Sequence, residues 1–285
     1  MNLGKLLQKF KDPVFRAKFD SRYGLGRVET FLAGHWFNPL ATLWLNFRSF
    51  PIRQAVRFPF WVYGRPRFYS LSGTMRMAGK FKSGAVKFNV VKQGAPRTMR
   101  VSSEICNRGE IVFEGNCEIG TGNKIITSFG KTLSLGHNLV LTDHISITVT
   151  KSVKIGGNTR IASGTLIMDT DYHFIADLNR KQISPRSKPI VIGNGVWISS
   201  NCTILKGSVI ADYAILGSNT VTNSDFGKYT DGCLIVGQPA KVVKENVCIL
   251  NNPAIESEVW KHLGKQNGLP FNLDITDREE IVKFD

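Results

Sequence analysis

The stretch PIVIGNGVWISSNCTILKGSVIADYAILGSNTVT, residues 189–222, repeats every six residues. An aliphatic side chain recurs at this step, and a small or compact residue recurs four positions after it. The aliphatic set is Ile192, Ile198, Ile204, Ile210 and Leu216, and the compact set is Val196, Cys202, Ser208, Ala214 and Thr220. Neither the period of a helix nor the alternation of a strand produces a step of six. The stretch predicts an all-β solenoid of short strands and tight turns, with one side chain per hexad pointing inward.

The same step continues upstream in three groups of aliphatic residues. They are Ile119 and Ile125, then Leu135, Leu141 and Ile147, then Ile155, Ile161 and Ile167. Between the groups the step lengthens to ten and then to eight residues, which predicts small bulges or extruded turns there. With three hexads per coil, segments 105–172 and 190–223 predict about five to six coils. Weaker strand signals in 66–100 predict a solenoid that begins with poorer repeats.

Positive charge is concentrated in the N-terminal third of the chain. Residues 1–100 carry 19 Lys and Arg against three acids, whereas residues 101–285 carry 18 against 19. In segment 31–69, Trp, Phe and Leu side chains are interleaved with arginines, a mixture that suits the headgroup region of a membrane. The segment therefore predicts either peripheral membrane contact or a helical cap packed on the domain, and a solvated basic face needs no partner at all. Nucleic acid is not expected, because no RNP, KH, zinc-finger or helix-turn-helix signature occurs.

The rest of the composition predicts a cytoplasmic protein, at most peripheral at the inner face of a membrane. No stretch approaches the roughly 20 apolar residues of a membrane-spanning helix. The N-terminus MNLGKLLQKFKDPVF has no small-residue cleavage site of the kind found in signal peptides. Five cysteines without CxxC or Cys/His metal spacing predict reduced thiols and no metal.

Three regions are predicted. They are a basic amphipathic segment at 1–65, a β-helix domain at 66–244 with an extruded loop at 174–189, and a tail at 245–285. In the tail, Thr276 and Glu279 form a capping box before a short helix.

Four motifs in the second half of the chain point to a known family. They are DTDYH (169–173), PIVIGNGVWISSN (189–201), TILKGSVIADYAILGSNTVT (203–222) and VGQPAKVVK (236–244). Together they resemble the hexapeptide-repeat acetyltransferases that modify galactosides, maltose and surface polysaccharides, and among them the capsule-type sugar O-acetyltransferases. The resemblance covers roughly residues 105–245. It implies a left-handed parallel β-helix, acetyl-CoA as co-substrate, and a homotrimer with a cleft shared by two subunits. The left hand comes from the resemblance alone, since parallel crossovers are otherwise right-handed.

In that family the general base is a His at the end of a coil before an extruded loop, a position held here by His173. A neutral imidazole there takes the proton of a sugar hydroxyl as its oxygen attacks the thioester carbonyl. Asp169 and Asp171 are predicted to share a strand face with His173 and to orient the ring or bind the sugar. His144, beside Asp143, is the second candidate for the base, in a region where the family often places a polar residue that supports the substrate. A structural role for His144 is the alternative. No Cys or Ser lies in a recognisable nucleophile setting, which predicts direct transfer.

Candidate cofactor residues follow from the same resemblance. Trp197, 24 residues after His173, stands where the family has a Trp near the acceptor or cofactor, although a Trp wedged between coils is equally compatible with the sequence. Ser200 and Ser218 occupy positions that line the pantetheine groove of the family.

The phosphate-binding end of the coenzyme departs from the family pattern. Where the family has Thr-Lys, this chain has Asn223 and Ser224, which removes one expected partner of the coenzyme A phosphates. Lys241 and Lys244 remain as candidate partners for those phosphates, or as solvated surface lysines.

The predicted function is O-acetylation of a sugar hydroxyl on a surface polysaccharide or its precursor. Amino-sugar N-acetylation needs the same base and cofactor and stays open. A γ-class carbonic anhydrase would use His137, His144 and His173, but their spacing does not match that family. Acyl-carrier-protein-dependent acyltransferases share the repeat but lack the VWI and GQPAKVV motifs. The non-enzymatic alternative is a β-helical, membrane-associated binding module.

Overall fold

The structure, a computed structural model, describes residues 36–90, 101–265 and 277–282. The first part of the predicted basic segment, up to residue 35, lies outside these ranges. So does Thr276 of the predicted capping box.

Three parallel sheets form the body of the molecule, and each coil contributes one strand to each sheet in turn. Sheet 1 contains β1 (Phe60–Val62), β4 (Val86–Phe88), β7 (Cys117–Ile119), β10 (Leu139–Leu141), β13 (Arg160–Ile161), β18 (Trp197–Ile198), β21 (Ile215–Leu216) and β23 (Cys233–Gly237), followed by the antiparallel β24 (Ala240–Glu245). Sheet 2 contains β2 (Arg67–Leu71), β5 (Glu104–Asn107), β8 (Lys124–Thr127), β11 (Ser146–Val149), β14 (Leu166–Met168), β19 (Thr203–Leu205) and β22 (Val221–Thr222). Sheet 3 contains β3 (Thr74–Met77), β6 (Glu110–Phe113), β9 (Thr132–Leu135), β12 (Ser152–Ile155), β17 (Ile190–Ile192) and β20 (Val209–Ile210). The predicted all-β solenoid is confirmed.

The six-residue step aligns identical hexad positions on neighbouring coils. Ile161, Ile198 and Leu216 lie in register along sheet 1, and each is buried. The compact residues of the second set, Val196 and Thr220 among them, are also fully buried. The expectation of one inward side chain per hexad was therefore wrong. A second, smaller residue at each corner also points inward, because the space between two meeting sheets is too narrow for a long side chain.

The ten-residue and the eight-residue step noted in the sequence both fall at the corner between sheets 2 and 3. The ten-residue step passes through turn 128–131 and the eight-residue step through turn 150–151. The largest excursion is the antiparallel hairpin β15 (Ile175–Asp177) and β16 (Gln182–Ser184), which leaves the coil at the same corner. The extruded turns are confirmed, and we name this edge of the prism the hairpin corner.

A helical cap covers the first coil. Helix α1 (Pro39–Ser49) and the short α2 (Ile52–Ala55) precede β1. Asn46 Nδ2 donates to Phe60 O at 2.7 Å, and its Oδ1 accepts from Phe60 N at 3.1 Å. Thr42 Oγ1 accepts from Val62 N at 3.0 Å. Because an open strand edge is a site of unwanted pairing, these side chains act as a substitute strand.

The tail returns to the side of the prism. Helix α3 (Pro253–Lys265) and the short α4 (Arg278–Val282) follow β24. Arg160 Nε, on sheet 1, donates to Asn251 Oδ1 at 2.8 Å, so the tail is fixed to this sheet. No helix within the described residues is long and apolar enough to cross a membrane.

Candidate functional site

His173 lies on a bend that leads into the hairpin, and its side chain is exposed. Strand β14 ends at Met168, and Tyr172 has a positive φ of 59°, so the chain turns here instead of continuing as a strand. The expectation that His173 shares a strand face with Asp169 and Asp171 was therefore wrong. Extrusion of the hairpin requires the backbone to leave the sheet, and this breaks the alternation of side chains.

Asp169 is completely buried at the neck of the hairpin. Its Oδ1 accepts from Thr150 N at 2.7 Å and from Thr150 Oγ1 at 2.9 Å, and its Oδ2 accepts from Lys151 N at 2.7 Å. Ser187, on the returning side, bonds to the same Thr150 hydroxyl at 2.8 Å and to Thr170 Oγ1 at 3.1 Å. Both oxygens of Asp169 are thus engaged in joining the hairpin to the preceding coil.

Asp171 lies closer to solvent and forms an ion pair with Lys206. Lys206 Nζ also donates to Pro185 O at 2.8 Å, and Asp171 N donates to Arg186 O at 3.0 Å. Sequence reasoning missed Lys206. The only signal was register: Met168 pairs with Leu205, so the residues after them, Asp169 and Lys206, leave neighbouring strands at the same corner.

The hairpin beyond His173 carries an apolar surface. The exposed side chains are Tyr172, Phe174, Ile175, Leu178 and Ile183. The guanidinium of Arg186 lies 5.4 Å from the ring centroid of Phe174. Such a concentration of apolar side chains on an extruded element is typical of a contact surface.

Trp197 lies on the outer face of sheet 1 and is 37% exposed. Its neighbours in the sheet are Arg160 on one side and Ile215 on the other. Burial lowers the pKa of Arg160, while Glu256 of α3 and Glu118 oppose that shift. The tail therefore lies close to the edge of this surface.

The candidate phosphate partners lie farther along the same sheet. Lys244 pairs with Leu234, which pairs with Ile215, so Lys244 is three strand steps from Trp197. At the usual strand spacing this is roughly 14 Å. Lys241, in the same strand, is also exposed.

Ser200 and Ser218 lie on successive coils at the corner between sheets 1 and 2, which we name the serine corner. Asn219 N donates to Ser200 O at 3.0 Å, so the two turns are stacked directly. The residue after each serine, Asn201 or Asn219, has a positive φ of 61°. The sequence places the two serines together correctly, and their contact with a cofactor remains a prediction.

Asp143 and His144 lie at the serine corner on an earlier coil. Asp143 Oδ1 accepts from Thr121 N at 2.7 Å and from Thr121 Oγ1 at 2.8 Å. The imidazole of His144, which has a positive φ of 58°, lies over Gly122 and would collide with any side chain there. Both residues therefore have structural partners in the turn below.

The predicted site residues fall into separate groups. Asp169, Asp171 and His173 lie at the hairpin corner, whereas Trp197 lies on sheet 1, which is the opposite side of a three-sided prism. The core separates His173 from Trp197, so the two side chains cannot meet within one chain. A cavity of about 300 Å³ opens near the capped end, between Lys82, Lys87 and Asn138. None of the predicted site residues lines it.

The three histidines of the zinc alternative are equally dispersed. His137 lies at the corner between sheets 3 and 1, His144 at the serine corner and His173 at the hairpin corner. Across the described ranges, no group of three or more His, Cys, Asp or Glu side chains is arranged to hold a metal ion.

Comparison with known proteins gives the family. Residues 189–224 match the model described as bacterial transferase hexapeptide (six repeats). The Escherichia coli K12 protein named "Putative lipopolysaccharide biosynthesis O-acetyl transferase WbbJ" is 30% identical over 158 residues, which is 52% of this chain and 79% of that protein. The galactoside O-acetyltransferase of the same organism is 27% identical over 50% of this chain and 70% of its own. Among solved structures, the polySia-specific acetyltransferase NeuO has a TM-score of 0.42 at 18% identity, covering 70% of this chain and 92% of that chain. The chain therefore belongs to the hexapeptide-repeat acetyltransferase family, whose coil is a left-handed parallel β-helix.

Proposed function

We propose that this protein transfers the acetyl group of acetyl-CoA to a hydroxyl of a surface polysaccharide or of its sugar precursor. The names of the two Escherichia coli relatives support this substrate class. The structural observation that carries the proposal is the exposed His173 at the root of the hairpin, next to a neck held by buried hydrogen bonds. A base with a free ring on a fixed backbone suits an acceptor that arrives from solvent.

In this mechanism His173 takes the proton from the acceptor hydroxyl as the oxygen attacks the thioester carbonyl. The tetrahedral intermediate collapses with cleavage of the C–S bond. The imidazolium of His173 then returns its proton to the departing thiolate, so the products are the O-acetyl sugar and coenzyme A. The transfer is direct, with no acyl-enzyme intermediate.

The two acidic residues have different roles in the proposal. Asp171 is near the surface, paired with Lys206, and is the carboxylate placed to interact with the acceptor or the ring. Asp169 is buried with both oxygens engaged, and we assign it to holding the neck that carries His173. It is a positioning residue rather than a catalytic one.

The coenzyme is assigned to the side of the prism between the serine corner and sheet 1. The stacked turns at Ser200 and Ser218 offer small side chains and exposed backbone for a pantetheine arm. Lys241 and Lys244 lie at the end of the same side, where they would pair with phosphate groups.

A second copy of the chain completes the site. The hairpin corner of one protomer must face sheet 1 of a neighbour if His173 and Trp197 are to act on one substrate. A cyclic trimer satisfies this requirement three times, because each protomer then offers a hairpin on one side and a sheet on the other. The exposed apolar side chains of the hairpin supply the contact surface.

The first experiment measures acetyl transfer and thiol release with a panel of sugar acceptors, comparing wild type, His173→Ala and His144→Ala. Loss of the base should lower turnover by on the order of 10²–10⁴ without changing acetyl-CoA affinity. His144→Ala serves as the matched histidine control. If His173→Ala keeps full turnover, His173 is not the base. Amino sugars in the same panel distinguish O-acetylation from N-acetylation.

A mixing experiment tests the shared cleft. His173→Ala and Trp197→Ala are each assayed alone, then unfolded and refolded together. With random mixing, about a quarter of the neighbouring pairs combine an intact His173 with an intact Trp197. Activity should therefore recover to about that fraction. No recovery above the two single variants, with oligomers formed normally, would contradict a site shared between protomers.

A further inference from the structure

The cap helix α1 has its polarity reversed relative to a helix of an ordinary soluble domain. Its buried stripe is Thr42, Leu45, Asn46 and Ser49, of which three are polar. Its outward stripe is Leu40, Leu43, Trp44 and Phe47, at the i, i+3, i+4, i+7 spacing of one helix face. The inward polarity is explained by the hydrogen bonds to β1. Trp44 contacts Phe68 and Phe47 contacts Phe58, yet the four outward side chains remain between 45% and 78% exposed.

The outward stripe is a continuous patch rather than scattered side chains. Leu40 is 78% exposed, Trp44 is 51% exposed and Phe47 is 45% exposed. Ile52, at the start of α2, and Val56, directly after its last residue, are also exposed. Exposed apolar patches of this kind, rimmed by polar groups, mark interaction sites.

The charged residues of the cap and of strands β1 to β4, which follow it in the chain, are all basic. Residues 30–103 contain twelve Lys and Arg and no Asp or Glu. Arg48, Arg53 and Arg65 are exposed, and none forms an ion pair with another described residue. Arginine around a Leu, Trp and Phe face is the combination that binds an anionic lipid surface, because rings and aliphatic chains enter the headgroup layer while guanidinium groups stay at the phosphates.

We propose that α1 and the start of α2 dock the protein on an anionic membrane surface. The positive charge around the patch favours an anionic membrane over the two other candidates, a second copy of the chain and residues 1–35. A second copy would bring the same basic residues against themselves. Residues 1–35 carry seven Lys and Arg against three acids, so they would add positive charge to positive charge. An anionic bilayer supplies both the apolar layer and the opposite charge.

Docking through the cap sets the distance between the membrane surface and His173. Strand β14, which leads to His173, is four strand steps along sheet 2 from β2 of the capped coil. At the usual strand spacing the distance is roughly 19 Å. An acceptor glycan anchored to the membrane through a lipid would reach His173 at that height. This last step rests on the proposed function, whereas the docking itself does not.

The test is co-sedimentation of the full chain with vesicles of phosphatidylcholine, with and without phosphatidylglycerol. We expect binding only to the phosphatidylglycerol vesicles, weakening as salt is raised. Leu40→Ser/Trp44→Ser should lower the affinity by about tenfold or more, since two side chains lose their lipid contact. Trp260→Ser is the matched control, because Trp260 is 67% exposed on α3, away from the cap, and its removal should leave binding unchanged.

A second variant separates docking from folding. Trp44 also packs on Phe68, with ring centroids 5.8 Å apart, whereas the exposed faces of Leu40 and Leu43 make no ring contact. Leu40→Ser/Leu43→Ser should therefore keep acetyl transfer to a soluble acceptor at the wild-type rate while losing vesicle binding. Docking would be overturned if the wild-type chain did not bind the anionic vesicles, or if it bound neutral vesicles equally well. It would also be overturned if both variants bound as tightly as wild type. An oligomer that dissociates in both variants would overturn it too, and would identify a second copy as the occupant.

Discussion

Replacement of Asp169 by Asn distinguishes a structural carboxylate from a catalytic one. An amide retains one oxygen, which can still accept from Thr150, but its NH₂ group would face Lys151 N–H, which now donates to Oδ2 at 2.7 Å. A hydrogen bond to a charged acceptor contributes about 1.5–3 kcal/mol. The free energy of unfolding should therefore fall by about 1.5–3 kcal/mol.

The measurement is urea unfolding followed by far-UV circular dichroism, at one fixed protein concentration. A loss of this size would move the midpoint down by roughly 0.5–1.5 M urea if the slope is unchanged. Asp212→Asn is the matched control. Asp212 also caps a turn, accepting from Asn194 N at 2.7 Å, but it is accessible to water and its amide keeps that acceptor. Its effect should stay below about 1 kcal/mol.

If Asp169→Asn unfolds at the wild-type midpoint yet loses turnover as severely as His173→Ala, Asp169 acts in the chemistry and not in the neck. A variant that is destabilised but retains near-normal turnover at low temperature would support the positioning role.

Two further predictions concern the cap and the core. Asn46→Leu keeps the size of the side chain but leaves Phe60 N–H and C=O without their cap partners. It should lower the free energy of unfolding by about 2–5 kcal/mol in the same urea assay. An unchanged midpoint would show that the cap does not stabilise the first coil. Burial raises the pKa of the Cys117 thiol, so Cys117 should react slowly with iodoacetamide. In native protein at pH 8, analysed by mass spectrometry, Cys117 should be alkylated at least about tenfold more slowly than the half-buried Cys106. Equal rates would mean that the third coil opens readily.

The repeat was predictable because it is enforced separately in each coil. Each aliphatic position must lie above its counterpart in the next coil, as Ile161, Ile198 and Leu216 do, so the spacing survives in the sequence. The irregular steps were also visible as changes of spacing. Handedness was not derivable, because a period carries no chirality and the resemblance alone supplied it.

The candidate site was only partly predictable for a related reason. The strand assumed around His173 does not exist, since a hairpin must leave the sheet and its root is therefore a bend. Asp169 and Asp171 are two residues apart, yet one is buried and the other meets Lys206 from the next coil. Such contacts depend on coil-to-coil register, which a linear sequence does not display until the length of every turn is known.

In the coils between β7 and β22, the lengthened turns lie at the hairpin corner, and this has an evolutionary consequence. At the other two corners of these coils, successive turns are bound to each other, as Asn219 is to Ser200, so an inserted residue there would break a chain of contacts. Insertions at the hairpin corner lengthen an excursion and leave the coils above and below in register. With the acceptor at the hairpin and the coenzyme at the serine corner, as proposed above, acceptor preference could diverge through changes in one loop while the coenzyme side is inherited unaltered. Selection could then act on two surfaces of the same coil almost independently.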